Sequence, residues 1–364
     1  MAGSAIAQRV QRGRVGAASP RQRVHKAPRP QSPQRLQRPG RAANGEAMGT
    51  GSIYCPPMSE PPAPDNSARG LDPHAVEAGL RRLARADEPP WLHREVARRM
   101  AERLAIIRAQ PTQLLDWWSW LGAGGEALAQ AYPQAQRVLV EPTEALKARS
   151  EAALARPWWS PKRWQSNAPR VLLESESLPE GSQLVWSNMM LHAVAAPPAL
   201  FARWQRALAG DGFVMFSCLG PGTLRELRAL YERLGWGAAT PNFIDMHDLG
   251  DMLVHAGFAD PGMYQEVLTL QWRDADALLA ELRGLGGNAA PQRFPGCRTP
   301  RWREHLRQVL GRLAKDQDRI SLSFEVAYGH AFRAAPKAHV SQETQVPLSD
   351  MRALIRSRNS KSVR

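Results

Sequence analysis

Three cysteines in 364 residues (Cys55, Cys218 and Cys297), with no Cys-x-x-Cys spacing, argue against a disulfide framework or a zinc site. They suit a reducing compartment, and a cytoplasmic location is expected. There is no run of about 18 apolar residues, so no membrane span is expected. No internal repeat is visible, and there is no Ser-His-Asp or paired-carboxylate arrangement. Acid is scarce at the N-terminus. Residues 1–58 hold ten basic groups against the single acid Glu46, a balance of +9. Only +5 of the net +14 remains for the rest of the chain. That remainder lacks a basic stripe interleaved with aromatics, so nucleic-acid binding is not expected.

Residues 1–70 are rich in Arg, Gln, Pro, Ala and Gly, with Tyr54 as their lone aromatic. Such a segment cannot bury enough surface to offset its ordering entropy and is expected to be disordered. It reads as a basic tail, as an Arg-rich transit peptide interrupted by prolines, or as an over-extended start. The third reading is favoured, with Met58 (or Met48) as the true beginning. A folded domain is expected over 71–333 and a flexible basic tail over 334–364.

The chain is 43% hydrophobic, ample for a sizeable core. Asp72 before Pro73 marks a helix start, and a second helix is expected from Trp91 to Ile107, with Val96, Met100, Leu104 and Ile107 on one face. Strands are expected at 113–116, 137–141, 170–174, 183–187, 213–218, 263–270 and 320–328. Helices are expected at 124–131, 143–155, 198–209, 222–234, 247–256 and 274–284. This alternation predicts an α/β fold, a doubly wound, mostly parallel seven-stranded sheet with helices on both faces.

Asp116, Glu141, Glu174 and the pair Ser187-Asn188 fall at the carboxyl ends of successive strands, where a doubly wound sheet binds its ligand. Glu141 stands close to where such folds place the acid for ribose hydroxyls. Acids at strand ends also cap the helices that follow, so each taken singly has a plain structural reading. His192, His247 and His330 read as packing or surface residues, and no metal is expected.

The pattern resembles the class I S-adenosylmethionine-dependent methyltransferases. More closely it is similar to the malonyl-acyl-carrier-protein methyltransferases of biotin synthesis. The similarity runs from about Leu80 to Phe332. It is carried by Trp186-Ser187-Asn188-Met189-Met190-Leu191-His192, by Phe216-Ser217-Cys218-Leu219-Gly220-Pro221-Gly222-Thr223-Leu224-Arg225-Glu226-Leu227-Arg228, by Asp245 to Phe258, and by Phe324 to His330. The resemblance implies a Rossmann-like fold with helical lid insertions, one of them over 220–260. It implies S-adenosyl-L-methionine as cofactor and methylation of the free carboxylate of a malonyl thioester, on an acyl carrier protein or on coenzyme A. A monomer is expected.

By that resemblance Asp116, Gly122 and Gly124 belong to the cofactor loop, Glu141 holds the ribose and Glu174 faces the adenine. Ser187 and Asn188 line the sulfonium side and position the reactants. Leu219, Gly220, Pro221, Gly222, Thr223, Arg225, His247 and Tyr328 form a substrate lid. A carboxylate nucleophile is already ionised at pH 7, so no general base is needed.

The family's loop reads Asp-x-Gly-x-Gly-x-Gly, and the aligned positions here are Asp116, Trp118, Trp120 and Gly122. Glycine suits a close backbone approach or a positive φ, and tryptophan suits neither. A loop shifted onto Gly122-Ala123-Gly124-Gly125 is one expectation. Trp117, Trp118 and Trp120, with Trp158, Trp159 and Trp164, then fill the crevice as core, stack on adenine or sulfonium, or block the cofactor. Ala86-Asp87 replaces the family's aromatic–acid pair, and Asn242 stands where the family tends to carry a basic residue. Two rival readings stay open: a catalytically silent relative that binds a partner, and a relative of the mitochondrial respiratory complex I assembly hydroxylase.

Overall fold

A computed structural model describes residues 70–155, 168–314 and 319–334. The expectations for the leader and its start, for Trp158, Trp159 and Trp164, and for the tail beyond Ala334 lie outside the described residues.

The described part opens with α1 (Pro73–Ala84) and α2 (Trp91–Leu104). Asp72 caps α1 by accepting from the amides of His74 and Ala75, and Pro73 supplies the preset φ of a first helical position. The Pro89-Pro90 pair separates the two helices because proline lacks the donor that a continuous helix needs. Leu92, Val96, Met100 and Leu104 lie at helical spacing and are buried. Ile107 falls beyond the end of α2 and is only partly buried.

Strands and helices then alternate: β1 (Gln113–Trp117), α3 (Ser119–Gly122), α4 (Gly125–Ala131), β2 (Gln136–Glu141), α5 (Glu144–Leu154), β3 (Arg170–Leu173), β4 (Ser182–Ser187), α6 (Pro197–Ala207) and β5 (Leu208–Leu219). The chain continues through α7 (Arg225–Arg233), α8 (Met246–His255), β6 (Phe258–Trp272), α9 (Ala275–Gly284), α10 (Pro300–Gly311) and β7 (Ile320–Arg333). The seven strands form one sheet in the order β3-β2-β1-β4-β5-β7-β6. The ladders among β1 to β5 are parallel, and β7 runs antiparallel between β5 and β6. This is the class I Rossmann-like methyltransferase architecture.

Both faces of the sheet are covered, which is why its central strands read as continuous apolar runs. One face carries Leu114, Leu184, Trp186, Phe213 and Met215 against α2, α4, α7, α9 and α10. The other carries Leu115, Trp117, Val138, Val185 and Phe216 against α5, α6 and α8. Phe201, Trp204 and Phe216 make mutual tilted contacts with centroids 5.5 to 6.4 Å apart. Each such aromatic pair adds about 1 kcal/mol beyond area burial.

The structure departs from the sequence pattern at a few places, each with a local cause. α6 stops at Ala207 because Leu208 already pairs with Ser182 in the sheet. α7 starts at Arg225 rather than Gly222, because Thr223 and Leu224 are tied to β7 through the Leu224 amide on the Ser323 carbonyl (2.6 Å) and the Thr223 hydroxyl. β6 and β7 are longer than expected because they pair with each other from Phe258–Arg333 to Trp272–Ile320. Their register shifts between Ala259 and Gly262, where a Cβ on Gly262 would run into the His330 ring. α10 was not foreseen, although Thr299-Pro300 is a cap-and-proline signal, and the Thr299 hydroxyl accepts from the Trp302 amide.

Candidate functional site

Parallel pairing places the five expected residues on one edge. Asp116 and Trp117 end β1, beside Val140 of β2 and Ser187 of β4. The Glu174 amide donates to the Glu141 carbonyl (2.9 Å), which carries the edge onto the residue after β3. Asp116, Glu141, Ser187 and Asn188 are fully buried, and Glu174 is half-buried.

The loop after β1 was expected to turn on glycine, and the structure turns it on tryptophan instead. Trp118 adopts φ 53°, its amide donating to the Val140 carbonyl (2.7 Å) and its carbonyl accepting from Gly122 (2.7 Å). A left-handed residue with a side chain costs about 1–2 kcal/mol. Ser119–Gly122 then makes one short helix, and Ala123 is left-handed as well (φ 52°). Neither Gly122 nor Gly124 has a positive φ. Gly124 is glycine for a packing reason, since a Cβ there would strike the buried Trp186 indole.

Each acid is partly engaged by its own chain. Asp116 Oδ2 accepts from the Ser119 hydroxyl (2.6 Å) and from Arg137 (2.9 Å), leaving Oδ1 buried without a hydrogen-bond partner. Glu141 Oε1 accepts from the Trp120 amide (2.8 Å) and the Ser150 hydroxyl (2.5 Å), and its Oε2 is buried and unpartnered. Burial pushes the Glu141 carboxyl up to about 8 against those two hydrogen bonds, with the nearby Asp116 and Glu174 charges adding to the rise. The Ser187 hydroxyl is a third buried atom on this edge without a partner.

Glu174 and Asn188 are differently placed. Glu174 Oε1 accepts from both the Trp117 indole N–H (2.6 Å) and the Trp118 indole N–H (3.0 Å). Its carbonyl accepts from Arg203, whose guanidinium lies 5.1 Å from the Trp117 ring centre. The Asn188 amide donates to the carbonyls of His93 (2.8 Å) and Gly122 (2.6 Å), and its oxygen accepts from Ser217 (2.7 Å). Asn188 thus knits α2, the β1 loop and β5 together with its amide group already satisfied. His93 is also buried, with Nδ1 2.8 Å from the Leu121 carbonyl, and burial lowers its pKa to about 4.

Ser119, Arg137, Ser150, Arg203 and His93 were missed by sequence reading. Ser119, three residues on from Asp116, and Ser150, two turns on from Thr143 and one from Leu146 along the inner side of α5, carried a local signal. The rest act across elements, at separations that no local spacing encodes.

The expected substrate lid does not come together as one surface. The Gly220 amide donates to the Glu325 carbonyl (2.9 Å), and Thr223 exchanges two hydrogen bonds with the Glu325 backbone. Pro221 accepts from Arg228, and a Cβ on Gly220 or Gly222 would meet the Glu325 carboxylate. Leu219 is the last residue of β5, opposite Val326. The run 219–223 is therefore pinned to β7. Arg225 is exposed beside Glu226, and His247 is exposed beside Asp245 at the start of α8. Tyr328 is buried in the opposite core, its hydroxyl donating to Glu266 (2.6 Å) and its ring 4.1 Å from the Arg103 guanidinium. Burial raises its phenol well above the usual range.

An open groove of about 890 Å³ lies elsewhere, between α2 and α4, lined by residues such as Arg94, Arg98, Glu126 and Tyr132. Among the described residues no cluster of three or more His, Cys, Asp or Glu is placed to hold a metal. No helix among them is long and apolar enough to cross a membrane.

The strand-end edge fits S-adenosylmethionine in part. At the end expected to hold the ribose, Glu141 Oε2 is a buried polar atom without a hydrogen-bond partner in the chain, which calls for one. At the end expected to face the adenine, one Glu174 oxygen, Oε1, is engaged by indoles of the same chain.

No protein-family model matches the chain. Among curated proteins it is 35% identical over 274 residues to the malonyl-[acyl-carrier protein] O-methyltransferase of Gallionella capsiferriformans, covering 74% of this chain and 93% of that protein. It is 36% identical over 273 residues to the enzyme of the same name from Laribacter hongkongensis, covering 73% and 91%. Among solved structures it matches the YcgJ protein from Bacillus subtilis at 12% identity and a TM-score of 0.43, over 65% of this chain and 98% of that one. Identity above one third across more than nine-tenths of two relatives settles the family: this chain belongs to the malonyl-[acyl-carrier protein] O-methyltransferases.

Proposed function

We infer that the chain is an S-adenosylmethionine-dependent O-methyltransferase acting on the free carboxylate of a malonyl thioester, with acyl carrier protein as the thioester's carrier. The observation that carries this reading is the near full-length similarity to enzymes of that name, on a sheet whose acidic strand ends share one edge.

When bound, S-adenosylmethionine supplies an electrophilic methyl group. Glu141 would hold a ribose hydroxyl at Oε2, and Ser187 would offer its unpartnered hydroxyl at the end of β4. Asp116 holds the loop at Oδ2, through Ser119 and Arg137, and leaves Oδ1 without a partner on the same edge. Asn188 acts as a positioning residue, fixing the β4 end to α2 and β5.

The substrate carboxylate is ionised at neutral pH, so the chain needs no base to create the nucleophile. What remains for the protein is alignment and the exclusion of water, which raise the rate by converting an encounter into an oriented contact. Trp117 and Met190, both buried beside this edge, supply dry walls for that step.

The test is direct. Purified protein, S-adenosylmethionine and malonyl-acyl carrier protein are incubated, and the thioester is analysed by mass spectrometry. A gain of one methyl group, lost on ester hydrolysis, is expected. No methyl ester, with cofactor binding intact, would exclude this substrate.

A further inference from the structure

Glu174 stands at the strand end where the carboxylate is expected to meet the amino group of an adenine, a reading that rests on the function proposed above. In this structure two indole N–H groups already sit on its Oε1, from Trp117 at 2.6 Å and Trp118 at 3.0 Å. An indole N–H on a flat aromatic ring presents the same kind of donor that adenine presents. We propose that Trp118 is an internal stand-in for the adenine ring, holding Glu174 until the cofactor displaces it, and so setting the affinity for the cofactor.

The two tryptophans are not equivalent. Trp117 is the last residue of β1, fully buried, edge-on to Trp204 with centroids 5.7 Å apart and beneath Arg203. Nothing about it favours movement. Trp118 has left the strand, keeps 6% of its surface exposed and makes the longer hydrogen bond. Its backbone is held at φ 53°, a conformation that side chains disfavour. Rotation of Trp118 away from Glu174 leaves Oε1 with a single indole donor and opens the adenine side, while Trp117 stays as the wall. This would account for a tryptophan at a loop position where the resemblance leads one to expect glycine: the bulky ring is a competitor for the site.

A state that must open before it binds lowers the apparent affinity by the fraction that is open. Calorimetric titration of the full chain with S-adenosylhomocysteine reads this directly. Trp118→Ala is expected to bind on the order of tenfold more tightly than the unmodified protein, as losing a hydrogen bond to a charged group allows. Should Trp118→Ala fail to melt cooperatively, Trp118→Phe carries the comparison. It keeps the ring and removes the N–H, and a gain of a few-fold is expected. Equal or weaker binding by the folded variant overturns the proposal, because Trp118 would then be a neutral wall or a cofactor contact. If the unmodified protein and variant bind equally well, only the stand-in role falls. If neither binds at millimolar ligand, the cofactor reading falls with it.

Discussion

The two loops at the carboxyl edge differ in how they satisfy their polar groups. The run after β5, Leu219 to Thr223, is closed on itself: its amides, its threonine hydroxyl and the Glu325 backbone answer one another. The edge built by β1, β2 and β4 leaves Asp116 Oδ1, Glu141 Oε2 and the Ser187 hydroxyl buried without partners. Unmet polar atoms are costly, so their presence on this edge supports the proposed cofactor side, whereas the run after β5 meets its polar groups within the chain. The motif most specific in the sequence is thus the more structural of the two. The more degenerate one lies on the proposed cofactor edge.

Substitutions can break or sharpen this contrast, beginning with the largest effect. Asn188→Ala removes the amide that ties together His93, Gly122 and Ser217, and a loss of about 3 kcal/mol in unfolding free energy is expected from the stranded buried groups. Denaturant titration measures it, and a loss below about 1 kcal/mol would mean that the three groups find other partners.

The same change made in both loops separates them next. Gly124→Ala sets a methyl group against the fully buried Trp186 ring, which has nowhere to go, and should cost about 2–3 kcal/mol. Gly220→Ala meets the end of the Glu325 side chain, which can swing aside, and should cost about 1 kcal/mol. Equal costs would erase the distinction between an immovable and a yielding neighbour.

Proton linkage gives a smaller effect with a definite sign. Glu141 has a folded-state pKa raised from 4.5 to about 8, so its contribution to stability is fully present below the unfolded value and is lost as pH rises through about 8. Glu141→Gln should flatten the fall of stability across that window. His93 works in the opposite direction. Its pKa is lowered from 6.5 to about 4, so stability is lost as pH falls between those values. Thermal melts of Glu141→Gln that keep the wild-type slope between pH 4.5 and 8 would show that Glu141 is not the group responsible. The smallest effect belongs to Arg225→Ala and His247→Ala. Both side chains are exposed, so their melting curves should shift by less than about 0.5 kcal/mol.

The sheet was legible because strand periodicity and apolar runs are local properties. All seven expected strands are present, β6 and β7 longer than expected, and the capped start at Asp72 is seen. The position of Asp116, Glu141, Glu174 and Ser187 on one edge was legible for the same reason, since parallel pairing follows from the alternation of elements. What those side chains do there was not legible. The Glu141–Ser150 bond joins residues on consecutive elements, but the Glu174–Trp118 bond spans 56 positions and the Asn188–His93 bond spans 95. The left-handed Trp118 was the least legible of all. Residue preference argues against it, and only the surrounding contacts to Val140 and Gly122 hold it in place.

The account turns on whether this edge holds S-adenosylmethionine through Glu141. Calorimetric titration of the unmodified protein and of Glu141→Ala with S-adenosylmethionine tests that most directly. Saturable binding by the unmodified protein is expected, weakened on the order of tenfold or more in the variant, since a buried hydrogen-bond partner is lost. Binding that Glu141→Ala leaves unchanged would contradict the assignment of this edge, and no binding by either protein at millimolar ligand would contradict the cofactor itself.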